Sequence, residues 1–288
     1  MRFNARHLEH LREHGYVHVE GFMPRADLKA ARAAMLRFFP SSDELEATPE
    51  RFPHVLAQPE QQQLEFPYVE PELNRMATHE RVLDLVELAL GAPGLLTRST
   101  LWAKYATRGD YEQALHVDFE GNTLVSPRDD GEHRMVNLIL YYSDVDITLG
   151  PTCVVSQTHT RHLPLWPPFR PMREHRALYQ KEKPITARAG DLLAFSMRTF
   201  HRATALIADR GERFTHHLIY RSPRHPWQGH DLMSARGELP ALQDFILTSP
   251  PRRRSAIGFP PPGDAYWNPT TLAEVAARYP GLDLGPYR

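Results

Sequence analysis

The chain has 288 residues, 41% hydrophobic and 24% charged, with a net charge of -1. That length can bury a sizeable core without disulfides, and the charge balance gives no sign of a nucleic-acid or anionic-membrane surface. A single cysteine, Cys153, excludes an intrachain disulfide and argues against a Cys-based zinc site. The N-terminus has no apolar stretch behind its charges, and no run approaches the ~20 apolar residues that span a bilayer. The expectation is a cytoplasmic protein with no nucleic-acid and no membrane partner.

In chain order, residues 4–14 place Leu8 and Leu11 on one helical face, with Gly15 as the stop. Tyr16 to Val19 reads as a short strand. Residues 25–38 form a second helix carrying Leu28, Ala31 and Met35 at helical spacing. Six prolines between 40 and 78 predict a long loop there. A third helix runs from His79 to Leu90, with Val82, Val86 and Leu90 on one face and Gly91 behind it.

The texture then changes. Short β segments are predicted at 96–107, 114–119, 134–144, 152–159, 184–188, 191–197, 201–205 and 213–221. Strands in series without intervening helices predict a sandwich or barrel. After 222 the chain reads as irregular, with Pro250-Pro251 and Pro260 to Pro262 disfavouring helix. A last helix is predicted near Thr271, with Glu274 completing a capping box. The organisation is a single domain over 1–288: an N-terminal helical region with a Pro-rich loop to 95, a β core over 96–221, and an extension over 222–288.

Three places carry chemistry. In Leu115-His116-Val117-Asp118-Phe119, a strand would project His116 and Asp118 on one face. Downstream of Gly190-Asp191, His201 starts the next strand. Two histidines and one carboxylate form a facial triad with open positions, suited to non-haem Fe(II) that must also bind a chelating cosubstrate and O2. Arg213 and Thr215 share the face of the last strand, where a guanidinium fork can hold a carboxylate and a hydroxyl adds one bond. His216 and His217 are adjacent, so at most one faces inward, and both are read as structural.

The ordered pattern resembles the phytanoyl-CoA dioxygenase family of Fe(II)/2-oxoglutarate oxygenases. The likeness rests on Glu13-His14-Gly15-Tyr16-Val17, on Gly21-Phe22-Met23-Pro24 and on His116-Val117-Asp118-Phe119. It continues through Leu138 to Asp144, Gly150-Pro151-Thr152, Val154-Val155-Ser156 to His159, and Gly190-Asp191 to His201 with Arg213. The resemblance implies a mainly β fold with flanking α-helices around a double-stranded β-helix, a cupin-like jelly roll. It implies metal roles for His116, Asp118 and His201. It implies 2-oxoglutarate contacts from Arg213 and Thr215, with Lys104 and Thr204 as further candidates. Ala203 and Asn137 depart from the family pattern, which often has a small hydroxyl residue and a Trp at these places.

The function implied is hydroxylation of an unactivated C–H bond in a small molecule, with release of succinate and CO2. A carboxylate at 118 argues for hydroxylation over halogenation, while desaturation, ring closure and epimerisation stay open as alternatives. Arg161, Arg170, Arg173 and Arg176 among Trp166, Phe169 and Tyr179 read either as a lid over the mouth, suited to an anionic or amphipathic substrate, or as a solvated surface loop. Two other readings compete: a non-catalytic β-helix scaffold or binding protein, and a cupin-type metalloenzyme that does not use 2-oxoglutarate.

Overall fold

Strict alternation along a few strands builds the interior. On the strand Met135–Tyr141, Val136, Leu138 and Leu140 face one way into a large apolar cluster, while Ile139 and Tyr141 face a second cluster. Both faces are covered, so the strand reads as a near-continuous apolar run and is buried throughout. Each fully buried Leu or Ile side chain contributes roughly 1.5–3 kcal/mol. The computed structural model describes residues 1–57, 62–106, 112–118, 134–225 and 239–288.

The elements are α1 Ala5–His14, β1 Tyr16–Val19, α2 Arg25–Met35, α3 Ser42–Ala47, α4 Pro53–Ala57, β2 Gln62–Glu65, α5 Pro71–Ala77 and α6 Glu80–Leu90. The β-rich part holds β3 Leu95–Tyr105, β4 Leu115–His116, β5 Met135–Tyr141, β6 Thr152–Val155, β7 Phe169–Arg170, α7 Met172–Tyr179 and β8 Glu182–Ile185. It closes with β9 Leu192–Ser196, β10 His201–Ala203 and β11 Glu212–Arg221, before α8 Pro240–Thr248, α9 Pro251–Ala256 and α10 Pro269–Arg278. Two antiparallel sheets result, ordered β1-β9-β5-β11-β3-β2 and β7-β4-β10-β6-β8. A cavity lined by residues of both sheets lies between them. On the far side of the larger sheet, one apolar cluster joins residues from Phe3 to Tyr287, drawing on the N-terminal helices, the sheet and the C-terminal helices. Among the described residues, no helix is long and apolar enough to cross a membrane.

Local chemistry explains the helix ends. The Asn4 side chain accepts from the Arg6 and His7 N–H groups, and the His7 ring accepts from the Asn4 N–H. Gly15 then ends α1 with φ 78°, packed so closely that any Cβ would meet the Gln157 side chain at 2.4 Å. Several expectations need correction. The second helix stops at Met35, three residues early. The Pro-rich stretch of 40–78 is not one loop: Pro71 opens α5 in its first turn, and Pro53 begins α4. Pro251, expected to disfavour helix, starts α9. Proline lacks an N–H that the first helical turn does not use, and its fixed φ is already helical. The last helix is capped by Asn268 rather than Thr271. Asn268 accepts from the Thr270 and Thr271 N–H groups, and the Thr271 hydroxyl accepts from the Asn268 N–H. Phe119 and residue 107, both assigned to strands, lie outside the described residues.

His216 shows what the buried face of β11 demands. It is 0% exposed, with Nδ1 3.0 Å from the Tyr142 hydroxyl and Nε2 3.0 and 2.8 Å from the Tyr68 and Ser99 hydroxyls. Burial, with the neighbouring His217 adding to it, pushes its pKa down to about 3. The folded protein therefore refuses a proton that the unfolded chain accepts at about 6.5. Its contribution is intact above pH 6.5 and is lost as pH falls toward 3, at about 1.4 kcal/mol per pH unit. Between pH 7 and pH 5 the wild type should lose about 2 kcal/mol more stability than His216→Gln, read from urea midpoints. Equal losses would show that another group refuses the proton.

Candidate metal centre

Sheet register brings the two histidines together. His116 of β4 and His201 of β10 are direct partners across the smaller sheet, so their side chains leave the same face. Their rings lie 4.5 Å apart, centroid to centroid. His116 Nδ1 is 2.9 Å from the Ala114 carbonyl oxygen, and His201 Nδ1 is 3.0 Å from that of Thr199. A carbonyl only accepts, so each Nδ1 carries the proton and each Nε2 presents its lone pair to the cavity. The strand argument for Asp118 needs correction. β4 ends at His116, and Asp118 arrives on the chain after the strand rather than by alternation along it. Its Oδ1 is 3.4 Å from His116 Nε2, and its Oδ2 is 3.3 Å from His201 Nε2.

These donors suit a metal. Bonds of about 2.1 Å meeting at right angles would set neighbouring donor atoms about 3 Å apart. The three donor atoms here lie within 4.8 Å of one another. Burial works to raise the Asp118 pKa, but the adjoining His201 and His116 outweigh it and hold the carboxyl well below its usual range. Asp118 is therefore an anion at neutral pH. Burial works against a charge on His201 too, yet Asp118 and the Thr199 carbonyl raise its pKa.

Behind these donors stand supports from both sheets. Asn137 of β5 donates its Nδ2–H to Asp118 Oδ2 at 2.7 Å. Phe169 of β7 pairs with His116 in register and stacks on its ring at 5.6 Å and 24°. The Tyr179 hydroxyl accepts from the Leu115 N–H and donates to the Arg170 carbonyl. Arg202, beside His201 and 7% exposed, is held by Glu182 through two bonds of 2.6 and 3.1 Å and by Glu112. The short strands bearing the histidines are thus fixed by side chains as well as by ladder bonds.

The cavity above the triad measures about 200 Å³ and is also lined by Arg213, Thr215, Lys104 and Trp102. Arg213 and Lys104 are cross-strand partners on β11 and β3, 7% and 3% exposed. The geometry thus gathers His116, Asp118, His201, Arg213, Thr215 and Lys104 around one space. Thr204 stands apart: its hydroxyl donates to the Pro151 carbonyl at 2.7 Å, and it is not among the lining residues. Ala203 lines the wall in its place.

His217 and Asn137 are among the lining residues that escaped the sequence reading as site residues. His217, read as structural, faces the cavity with its ring 5.2 Å from Trp102 and Nε2 3.1 Å from the Thr215 hydroxyl. Burial, reinforced by the Arg213 charge, pushes its pKa down to about 3, so it is neutral. The signal was present: 213, 215 and 217 share a parity. Asn137 gave no signal, because its role exists only where β5 passes Asp118. Hydrogen bonds behind metal ligands sustain affinity or activity by about 10–100-fold. Asn137→Ala should weaken Fe(II) binding within that range with little change in melting temperature of the metal-free protein. Unchanged Fe(II) affinity would remove Asn137 from the centre.

The segment 160–183 is not the basic lid that composition suggested. β7 pairs with β4, and α7 leads into β8 of the same sheet. Arg161 donates to the Glu13 carbonyl, Arg170 to the Pro164, Pro167 and Phe169 carbonyls, and Arg173 to Glu174. No residue of this segment is among those lining the cavity.

A search of curated protein sequences finds no match. Several solved structures share the architecture. The non-haem alpha-ketoglutarate-dependent carbocyclase SnoK from nogalamycin biosynthesis is 19% identical, with a TM-score of 0.58, covering 76% of this chain and 84% of its own. HygX from Streptomyces hygroscopicus, with nickel and 2-oxoglutarate bound, is 17% identical, with a TM-score of 0.57 and coverage of 77% and 88%. The non-haem monooxygenase ThoJ in its nickel complex is 19% identical, with a TM-score of 0.54 and coverage of 78% and 80%. At these identities the likeness establishes the fold, the double-stranded β-helix that the family resemblance implied and that refines the sandwich or barrel expected from the strand pattern. Residues 11–213 match the family profile described as phytanoyl-CoA dioxygenase (PhyH), and that match, over most of the chain and both halves of the metal motif, makes this protein a member of the phytanoyl-CoA dioxygenase family.

Proposed function

We propose that this chain is an Fe(II)- and 2-oxoglutarate-dependent oxygenase acting on a small molecule, with C–H hydroxylation as its reaction. The observation that carries this reading is the meeting of His116, Asp118 and His201 in the same cavity as the buried pair Arg213 and Lys104. When bound, Fe(II) and 2-oxoglutarate would supply oxygen activation coupled to loss of CO2 and formation of succinate. The protein's part is placement. His116 and His201 would offer their Nε2 atoms, and Asp118 a carboxylate steadied by Asn137. Arg213 would hold the far carboxylate of 2-oxoglutarate, with Thr215 adding a hydroxyl and Lys104 a second charge. Enclosure between the sheets keeps these charges away from water and strengthens them. Hydroxylation rather than halogenation is supported by the carboxylate at 118, which occupies the place a halide would need. We further read the whole chain as one domain, since a single apolar cluster draws on both its ends.

The test is an anaerobic titration of Fe(II)-loaded protein with 2-oxoglutarate, following the weak visible band of the chelate. A band that saturates supports the oxygenase. Metal uptake without a band would favour a cupin-type metalloenzyme, and absence of both would favour a scaffold.

A further inference from the structure

Among the described lining residues of the cavity there are three basic side chains, Arg98, Lys104 and Arg213, against one carboxylate, Asp118. A divalent metal and doubly charged 2-oxoglutarate would cancel each other, so these groups would keep their formal excess of positive charge. Lys104 and Arg213 sit side by side and, on the proposed function, would serve one carboxylate. Arg98 is elsewhere. It pairs with Ile219, six residues along β11 from Arg213, which puts it roughly 20 Å away along the strand. Ile219 in turn pairs with Asn137, the residue that donates to Asp118. Arg98 therefore lies in the sheet row of the metal centre, about 10 Å across two strands from Asn137.

A β-bulge accounts for this placement. The register of β3 against β11 slips between Ile219 and Tyr220: Ile219 faces Arg98, while Tyr220 faces Leu96. Thr97 is the additional residue, and its hydroxyl donates to the Ile219 carbonyl at 3.0 Å. Simple alternation would send Leu96 and Arg98 to the same face. The slip sends Leu96 into the apolar cluster and leaves Arg98 at the cavity, the re-aiming that bulges next to active sites provide. Arg98 is exposed, and among the described residues its guanidinium makes one hydrogen bond, from Nε to the Thr100 hydroxyl at 3.3 Å, and has no carboxylate partner.

We propose that Arg98 binds an anionic group of the primary substrate, a carboxylate or a phosphate ester, and so orients that substrate at the metal. This rests on the oxygenase reading of the cavity. A planar guanidinium recognises either anion through two parallel hydrogen bonds, whereas a neutral group engages it less strongly.

The test uses protein loaded with redox-inert Ni(II) and 2-oxoglutarate, titrated calorimetrically with phenylacetate, phenyl phosphate and neutral phenylacetamide. Wild type should bind at least one anion roughly ten-fold or more tightly than the amide, and whichever anion binds better identifies the group. Arg98→Gln should erase that preference while leaving 2-oxoglutarate affinity unchanged, and Arg98→Lys should retain part of it. The proposal is overturned if wild type shows no anion preference, if the preference survives in Arg98→Gln, or if the anion displaces 2-oxoglutarate instead of binding beside it. The same probes are titrated without 2-oxoglutarate. Failure of wild type to take up 2-oxoglutarate then sinks the oxygenase reading separately, while the dependence of anion binding on Arg98 is still measured.

Discussion

Asp118→Ala is expected to weaken Fe(II) binding by more than about 100-fold and to reduce 2-oxoglutarate turnover to background. A four-ligand structural zinc site is worth about 10–16 kcal/mol, so one ligand carries on the order of 3 kcal/mol, or a factor near 200. The loss should be larger for Asp118 than for either histidine, because among the described lining residues it is the one carboxylate. Loss of the carboxylate also removes the charge that raises the His201 pKa, leaving burial opposed by the Thr199 carbonyl. The change favours the neutral, ligating form of His201, so the defect belongs to the missing carboxylate. Asp118 is not itself part of an apolar cluster, so the metal-free variant should melt close to the wild type. The separating measurement is the rise in melting temperature on adding Fe(II) anaerobically or Ni(II). A ligand that binds only the folded state stabilises it by mass action, so wild type should show the rise and Asp118→Ala should not. Equal rises in both would place the metal elsewhere and remove the triad.

The long strands were legible because both faces of the larger sheet are buried. β3 and β11 are 11 and 10 residues of Leu-, Thr- and aromatic-rich chain, and their bounds fall within two residues of expectation. α1 and α6 were legible because a glycine at positive φ ends each. Other elements have no local signature. β4 and β7 are two residues each, and only their ladder with each other and the pairing of β4 with β10 make them strands. The prolines of 40–78 and 250–251 send the same signal whether they break a helix or begin one. Within the site, the structure brings His116, His201 and Asp118 together, but Asp118 arrives on the chain after β4 and not by alternation along a strand. Arg98 was illegible because it depends on a register slip. The four arginines of 160–183 were conspicuous in composition, yet for Arg161 and Arg170 the partners are backbone carbonyls, and Arg173 meets Glu174.

Arg213→Ala is expected to raise the 2-oxoglutarate concentration needed for half-saturation by about 100-fold or more, with Fe(II) affinity unchanged. A hydrogen bond to a charged group contributes about 1.5–3 kcal/mol, and a guanidinium can make two to one carboxylate. At 7% exposed, Arg213 acts where water cannot substitute for it. Arg213→Lys separates charge from geometry. It keeps the cation but loses the fork, so its affinity should fall between wild type and Ala. Lys104, the cross-strand partner, cannot take over fully, since an ammonium is a point charge without paired donors. The adjacent His217 offers an internal check. Its pKa is held down first by burial and next by the Arg213 charge, so removing that charge should let it rise while burial keeps it below its ordinary value. The imidazole titration of His217, followed by NMR, should move upward in Arg213→Ala even in metal-free protein. A weakened 2-oxoglutarate complex together with that shift places the guanidinium in the cavity beside His217 and at the cosubstrate carboxylate. A shift without loss of 2-oxoglutarate affinity would keep Arg213 in the cavity but take the anchor away from it, leaving Lys104 and Arg98 as the basic groups to test in its place.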